Sequence, residues 1–259
     1  MVGSDNFLRL IYRKWTGGLG LQNKQNREDW LCKALARIPN GARILDAGAG
    51  ELQYKNLCNH LVYVSQDFGQ YNGTGNGVGL QTREWNQNQL DIICDIVDIP
   101  EPDVSFDAIM CIEVLEHLPD PLAALKEFSR LLKPGGFLIL TAPFCSLTHF
   151  APHFYYSGFS EYFWRYHLPR YEFEIAELTS NGNYFEYLSQ ELRRLPHFLQ
   201  KRKDAWSVKL LAAILMNTLA PYSQQDSESD RLLAFGWHIF AQKSRPREGW
   251  VGNSFPNAP

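Results

Sequence analysis

The chain of 259 residues has no basic excess: 25 Lys and Arg stand against 28 Asp and Glu, a formal net charge of −3. That balance offers no electrostatic footprint for nucleic acid, which needs a strongly basic face. The five cysteines, Cys32, Cys58, Cys94, Cys111 and Cys145, form no Cys-x-x-Cys pair. Neither a zinc knuckle nor a redox couple is written into that spacing, and the thiols are expected buried in a reducing, cytoplasmic setting. The first residues lack the apolar core and small-residue cleavage site of a secretory signal. No apolar run reaches the roughly 20 residues of a membrane span. The most apolar, "AWSVKLLAAILMNTLA" at 205–220, is interrupted by Lys209 and follows Lys201, Arg202 and Lys203. It is expected as a helix packed on the main domain or on a second copy in a homodimer, with an interfacial membrane helix as the alternative. There is no internal repeat.

What is present is an alternation of short apolar runs and amphipathic segments. Trp30, Leu31, Ala34, Leu35 and Ile38 share one side of a helix that Pro39-Asn40-Gly41 stops. Runs at 43–47, 61–66, 90–94, 106–112 and 136–143 are of buried-strand type. Between the last two, Asp120-Pro121 opens a helix over Pro121 to Leu132, with Leu122, Leu125, Phe128 and Leu132 as its stripe. Further strands are expected at 172–178 and 232–243, with helices near 184–195 and 208–219. Strands alternating with helices imply an α/β domain whose mainly parallel sheet is covered on both faces. The expected organisation is an extension over 1–25, a domain over 26–243 with insertions at about 144–170 and 183–222, and an irregular tail over 244–259.

Two glycine stretches compete for a ligand. "NGTGNGVG" at 72–79 has no Lys-Ser/Thr pair and no strand immediately before it, so it reads as a surface loop or a lid. "ILDAGAGEL" at 44–52 has the right context: an apolar strand reaches Asp46, and the chain must turn at Gly48 and Gly50 into a helix, where a ligand can approach the backbone. A dinucleotide fingerprint would need glycine where Gln53 stands, and Asp46 would face a pyrophosphate. The ligand should carry positive charge and no phosphate, which S-adenosylmethionine does. Asp67, at the end of the next strand, stands where a ribose acceptor is expected.

Together "ILDAGAGEL", "CDIVDIPEPDVSFDAIMCIEVLEHLPDPLAAL" and "LKPGGFLILTAPF" resemble the class I S-adenosylmethionine-dependent methyltransferases, from about residue 25 to 178 and on to about 243. The resemblance implies a Rossmann-like, doubly wound, seven-stranded and mainly parallel sheet with an antiparallel last strand. It implies S-adenosyl-L-methionine as cofactor, with Asp46, Gly48 and Gly50 along its methionine part and Asp67 on the ribose hydroxyls. It further implies Asp95 and Ile96 at the adenine, and Ile112 and Glu113 beside the methionine and methyl group. Leu52 departs from the pattern, standing where many members have a third glycine.

Methyl transfer is an in-line displacement that needs orientation, and a base only when the nucleophile carries a proton of high pKa. Candidate bases are His149 and His153 in "THFAPHFYY", with Tyr155 and Tyr156 beside them; either histidine could instead be structural, as His117 and Glu116 are expected to be. The Asn/Asp-Pro-Pro-aromatic signature of nucleic-acid adenine methyltransferases is absent, as Cys111-Ile112-Glu113-Val114 stands there. A small-molecule acceptor is therefore expected, and no metal, because no carboxylate cluster follows the fifth strand. The segments after 148 resemble, loosely, methyltransferases of glycan and secondary-metabolite pathways, which favours O-methylation of a sugar or small metabolite. N-methylation of a small amine and a non-catalytic cofactor-binding subunit are the alternatives, and a nicotinamide oxidoreductase is disfavoured.

Overall fold

The computed structural model describes residues 18–199 and 205–245. Residues 1–17, the basic cluster at 201–203 and the tail from 246 lie outside the described part. Seven strands form one sheet: β1 Arg43–Ala47, β2 Val62–Asp67, β3 Ile92–Ile93, β4 Phe106–Ile112, β5 Leu132–Pro143, β6 Phe173–Asn181 and β7 Gly236–Lys243. Their order is β3-β2-β1-β4-β5-β7-β6. The first five run parallel, and β7 is antiparallel to both β5 and β6, as the sequence predicts.

The period-2 alternation of the strands divides the core. On one face Ile44, Met110, Ile139 and Phe240 receive Leu31, Ala34 and Leu35 of helix α1, Asn23–Leu35. On the other, Leu45, Ile109, Cys111, Leu138 and Ile239 receive Leu125, Phe128 and Leu131 of α2, Pro121–Leu131, with Trp164 of α3, Glu161–His167. The N-terminus of α2 is fixed as its sequence requires: Asp120 Oδ1 accepts from the amides of Leu122 and Ala123, both at 3.0 Å, and Pro121 takes the position where an N–H would go unused.

Between β6 and β7 stand α4, Tyr184–Phe198, and α5, Ala205–Gln225. They form an antiparallel pair, because the Asn183 amide at the start of α4 donates to the Ser223 carbonyl near the end of α5, at 3.1 Å. Ala212, Ala213 and Met216 are the buried stripe of α5; Trp206, Leu210, Leu211, Ile214 and Leu215 face outward, exposed. Among the described residues no helix is long and apolar enough to cross a membrane.

One expectation needs correction here. The chain does not enter an α-helix after Gly50; it makes turns over 51–54 and one short 3-10 helix, Lys55–Cys58. Leu52 nonetheless keeps the left-handed backbone of a glycine position, with φ +61°. The 72–79 stretch lies at the surface, as expected, and is tied down there. Asn76 N donates to Ala151 O, Leu80 N to Thr148 O and Phe150 N to Leu80 O, at 2.9–3.0 Å, which stitches the connection between β2 and β3 to the segment after β5.

Candidate active site

The carboxyl ends of β1, β2, β3 and β4 open into a cavity of about 480 Å³, on whose wall lie Gly48, Asp67, Asp95, Ile96, Glu113 and His153. The topology puts them there: ligands of open α/β sheets sit beyond the strand ends where the order reverses, here between β1 and β4. A second cavity of about 240 Å³ lies at the end of β5 and carries His149, Leu147, Pro143 and Cys145. Glu113 and Phe150 belong to both walls.

Gly48 has φ +80°, and a Cβ on it would run into Val114, so the tight turn is reserved for glycine. Gly50 sits beneath the Trp85 ring and donates to Asp67 Oδ2 at 3.0 Å. Asp67 Oδ1 accepts from Gly69 N at 2.9 Å and from the Gln87 side chain at 3.2 Å. Three of about four lone-pair positions on the carboxylate are thus taken, one of them by a flexible amide. Asp95 Oδ1 accepts from Val97 N at 3.2 Å.

Asp46, Gly50 and Ile112 do not reach the first cavity's wall. Asp46 is buried behind the glycine turn and accepts from the Tyr63 hydroxyl at 2.6 Å. Desolvation, against that hydrogen bond and helped by the nearby Asp67, pushes its pKa up to about 7. The charge argument against a phosphate ligand therefore rests on the wall itself. Asp67, Asp95 and Glu113 line it with neither Lys nor Arg, while Trp85, Ile93 and Ile96 add apolar surface. Such a cavity suits a cationic ligand with a flat aromatic part.

Glu113 has φ +56°, a backbone strain in a non-glycine residue that must be held by its surroundings. Its N–H donates to Thr141 O at 2.9 Å and its carboxylate meets Arg27 of α1 at 3.1 Å. Burial raises its pKa, with Arg27 opposing and the Glu116 charge adding to the rise.

His153 packs edge-on to Phe68, with ring centres 5.0 Å apart, and its carbonyl accepts from His117 Nδ1 at 2.6 Å. His149 Nδ1 donates to Leu147 O at 2.9 Å. Burial works against charging His149, but Glu116 and the Leu147 carbonyl outweigh it and its pKa is raised; His117 is lowered by burial. Tyr155 borders the first cavity, while Tyr156 stacks on Phe159. Sequence reasoning did not single out Trp85, Tyr71, Phe150 or Gln87. They come from irregular segments without a hydrophobic period, and only the clustering of aromatics around 150 hinted at them.

A seven-stranded sheet of this order, with a glycine turn at the end of β1 and an acidic residue at the end of β2, defines an α/β domain for a nucleoside-bearing cofactor. Residues 45–140 match the family described as "Methyltransferase domain", and this match together with the fold is that of the class I S-adenosylmethionine-dependent methyltransferases. Among curated proteins, the ubiquinone biosynthesis O-methyltransferase of Xylella fastidiosa (strain 9a5c) is 33% identical over 129 residues, 44% of this chain and 46% of that protein. The same-named protein of Xanthomonas axonopodis pv. citri (strain 306) is 33% identical over 116 residues, 40% and 44% of the two chains. This chain thus spans less than half the length of the curated relatives it matches. Among solved structures, a provisionally assigned sarcosine dimethylglycine methyltransferase from Galdieria sulphuraria superposes with a TM-score of 0.51 at 17% identity, over 86% of this chain and 84% of that one; it shares the fold.

Proposed function

We propose that the chain transfers the methyl group of S-adenosyl-L-methionine to a small acceptor, with a hydroxyl oxygen favoured over an amine. The observation that carries this reading is the pair of cavities meeting at Glu113 and Phe150. One has the size and the negative wall for the cofactor; the other, beyond β5, holds an imidazole and has room for a small acceptor. The cofactor supplies a methyl on a positively charged sulfur. Asp67 would accept from the ribose hydroxyls, and Asp95 and the Ile96 backbone would meet the adenine. Gly48 lets the methionine part lie against the chain. Glu113 and Phe150, shared by the two walls, would border the transferred methyl, and excluding water there would favour transfer over hydrolysis. His149 is the acceptor-side group and His153 shapes the cofactor side. The O-methyltransferase names of the partial relatives support oxygen as the acceptor atom.

The test is a calorimetric titration with S-adenosylhomocysteine of the wild type and of Asp67→Ala. Micromolar binding that weakens tenfold or more in the variant, about 1.4 kcal/mol, is expected, followed by acceptor-dependent transfer of labelled methyl. Absence of binding by the folded wild type would sink the reading. The outward apolar face of α5 also fits a homodimer or a partner subunit, and sedimentation of the purified chain separates these from a monomer.

A further inference from the structure

Glu116 is fully buried, and neither of its carboxylate oxygens has a hydrogen-bond partner. An ionised carboxylate stripped of water and of donors is among the costliest arrangements a protein can hold. Two imidazoles face it. Glu116 Oε1 lies 3.6 Å from His117 Nε2 and 3.8 Å from His149 Nε2, too far for hydrogen bonds to satisfy it.

The other nitrogen of each ring decides what these atoms are. His117 Nδ1 contacts the His153 carbonyl at 2.6 Å and His149 Nδ1 the Leu147 carbonyl at 2.9 Å. A carbonyl only accepts, so each Nδ1 carries the proton and each neutral ring presents an Nε2 lone pair. The buried Nε2 of His117 is itself without a partner. With both rings neutral, three electron-pair donors converge, the three ligand atoms all within 4.8 Å of one another. Such a cluster attracts a cation. Backbone carbonyls fixing the Nδ1–H of each imidazole are also the usual support of a metal-bound histidine.

We propose that Glu116, His117 and His149 bind one divalent transition-metal ion of the zinc class. Two imidazoles and a carboxylate select such an ion over magnesium or calcium, which prefer all-oxygen sets. Bond lengths near 2.0–2.1 Å in a tetrahedral site put ligand atoms about 3.3 Å apart. The carboxylate edges need to close by only a few tenths of an ångström, and His149, on the segment after β5, supplies the movement for the third edge. The expectation of no metal looked for carboxylates after the fifth strand; here two ligands follow β4 and the third is an imidazole. The site lies at the partition between the two cavities, since His117 lines the first and His149 the second. Its remaining positions are open to an oxygen ligand, water or the acceptor hydroxyl. Resting on the methyltransferase reading, the proposal makes His149 act on the acceptor through the metal rather than by taking its proton.

The test uses the full chain, stripped with a chelator and titrated calorimetrically with Zn²⁺ alone, with Co²⁺ absorption as a second readout. One ion per chain is expected, with affinity reduced tenfold or more in both Glu116→Gln and His149→Gln, and a Co²⁺ spectrum of nitrogen and oxygen ligands that those variants lose. Circular dichroism checks that the variants fold; His149→Gln, on an irregular segment, keeps the test available if Glu116→Gln does not. No saturable Zn²⁺ binding, or binding that both folded variants retain in full, overturns the proposal. S-adenosylhomocysteine titrated in parallel separates the two readings. If it binds while Zn²⁺ does not, the metal site alone falls; if Zn²⁺ binds as described while it does not, the methyltransferase assignment falls and the metal site stands.

Discussion

Asp46 shows how one residue of a motif can serve the site without touching it. Its folded pKa of about 7 lies above the 3.8 of an unhindered carboxyl, so between about pH 4 and 7 the folded state holds a proton that the unfolded chain has released. Stability from this group is complete below pH 4, falls as pH rises through 7, and is flat above. Asp46→Asn should remove that slope and leave the protein as stable or more stable at pH 8, read from urea unfolding at several pH values; an unchanged slope would mean that Asp46 ionises freely inside. The sequence made the residue type and its place before the glycines legible. It could not show that Tyr63, seventeen positions later on the neighbouring strand, takes its carboxylate out of the cavity. Leu52 is the converse case: the side chain departs from the family pattern while the backbone keeps the conformation of a glycine.

The connection from β2 to β3 was the element least legible in the sequence. Its glycines were read as a surface loop or a lid, but alternation of glycine cannot distinguish a mobile loop from one folded so tightly at some positions that no side chain fits. A Cβ on Gly73 would collide with the Arg83 carbonyl and the Trp85 ring, whereas one on Gly77 would meet nothing within 4 Å. Both have positive φ, +89° and +75°. Gly77→Ala should therefore cost only the left-handed strain, about 1–2 kcal/mol. Gly73→Ala should cost more than that and also weaken S-adenosylhomocysteine binding severalfold, because Trp85 is part of the cofactor wall. Equal effects of the two substitutions on unfolding and on affinity would show that the packing around Gly73 is unimportant. The strands and most of α2 were legible for the opposite reason: their apolar runs and Asp120-Pro121 state local requirements that the tertiary fold satisfies, although Leu132, expected in the helix stripe, opens β5 instead.

At the scale of the whole molecule, the ionisation of His238 opposes that of Asp46 in weak acid. His238 of β7 is buried against Trp30, with ring centres 4.8 Å apart, and burial, helped by the Arg27 charge, lowers its pKa to about 4. Its contribution is present above pH 6.5 and is lost as pH falls through 4, the reverse of Asp46 over nearly the same window. His238→Gln should unmask the Asp46 slope, giving a protein that gains stability steadily from pH 7 down to 4.5 in denaturant titrations; a profile like the wild type's would refute the pairing. A mainly parallel sheet covered on both faces followed from the alternation of strands and helices, and its seven strands with an antiparallel last one from the family resemblance, while long-range pairs such as Arg27 with Glu113 did not, since they join positions with no shared period.

The stitch between Leu80 and residues 148 to 150 ties the connection that carries Tyr71 and Trp85, on the wall of the first cavity, to a segment on the wall of the second. A substitution that loosens one of these segments should therefore loosen the wall of the other cavity as well. Were ligands of the two cavities to bias this shared element, thermodynamic reciprocity would require each to change the affinity of the other by the same factor.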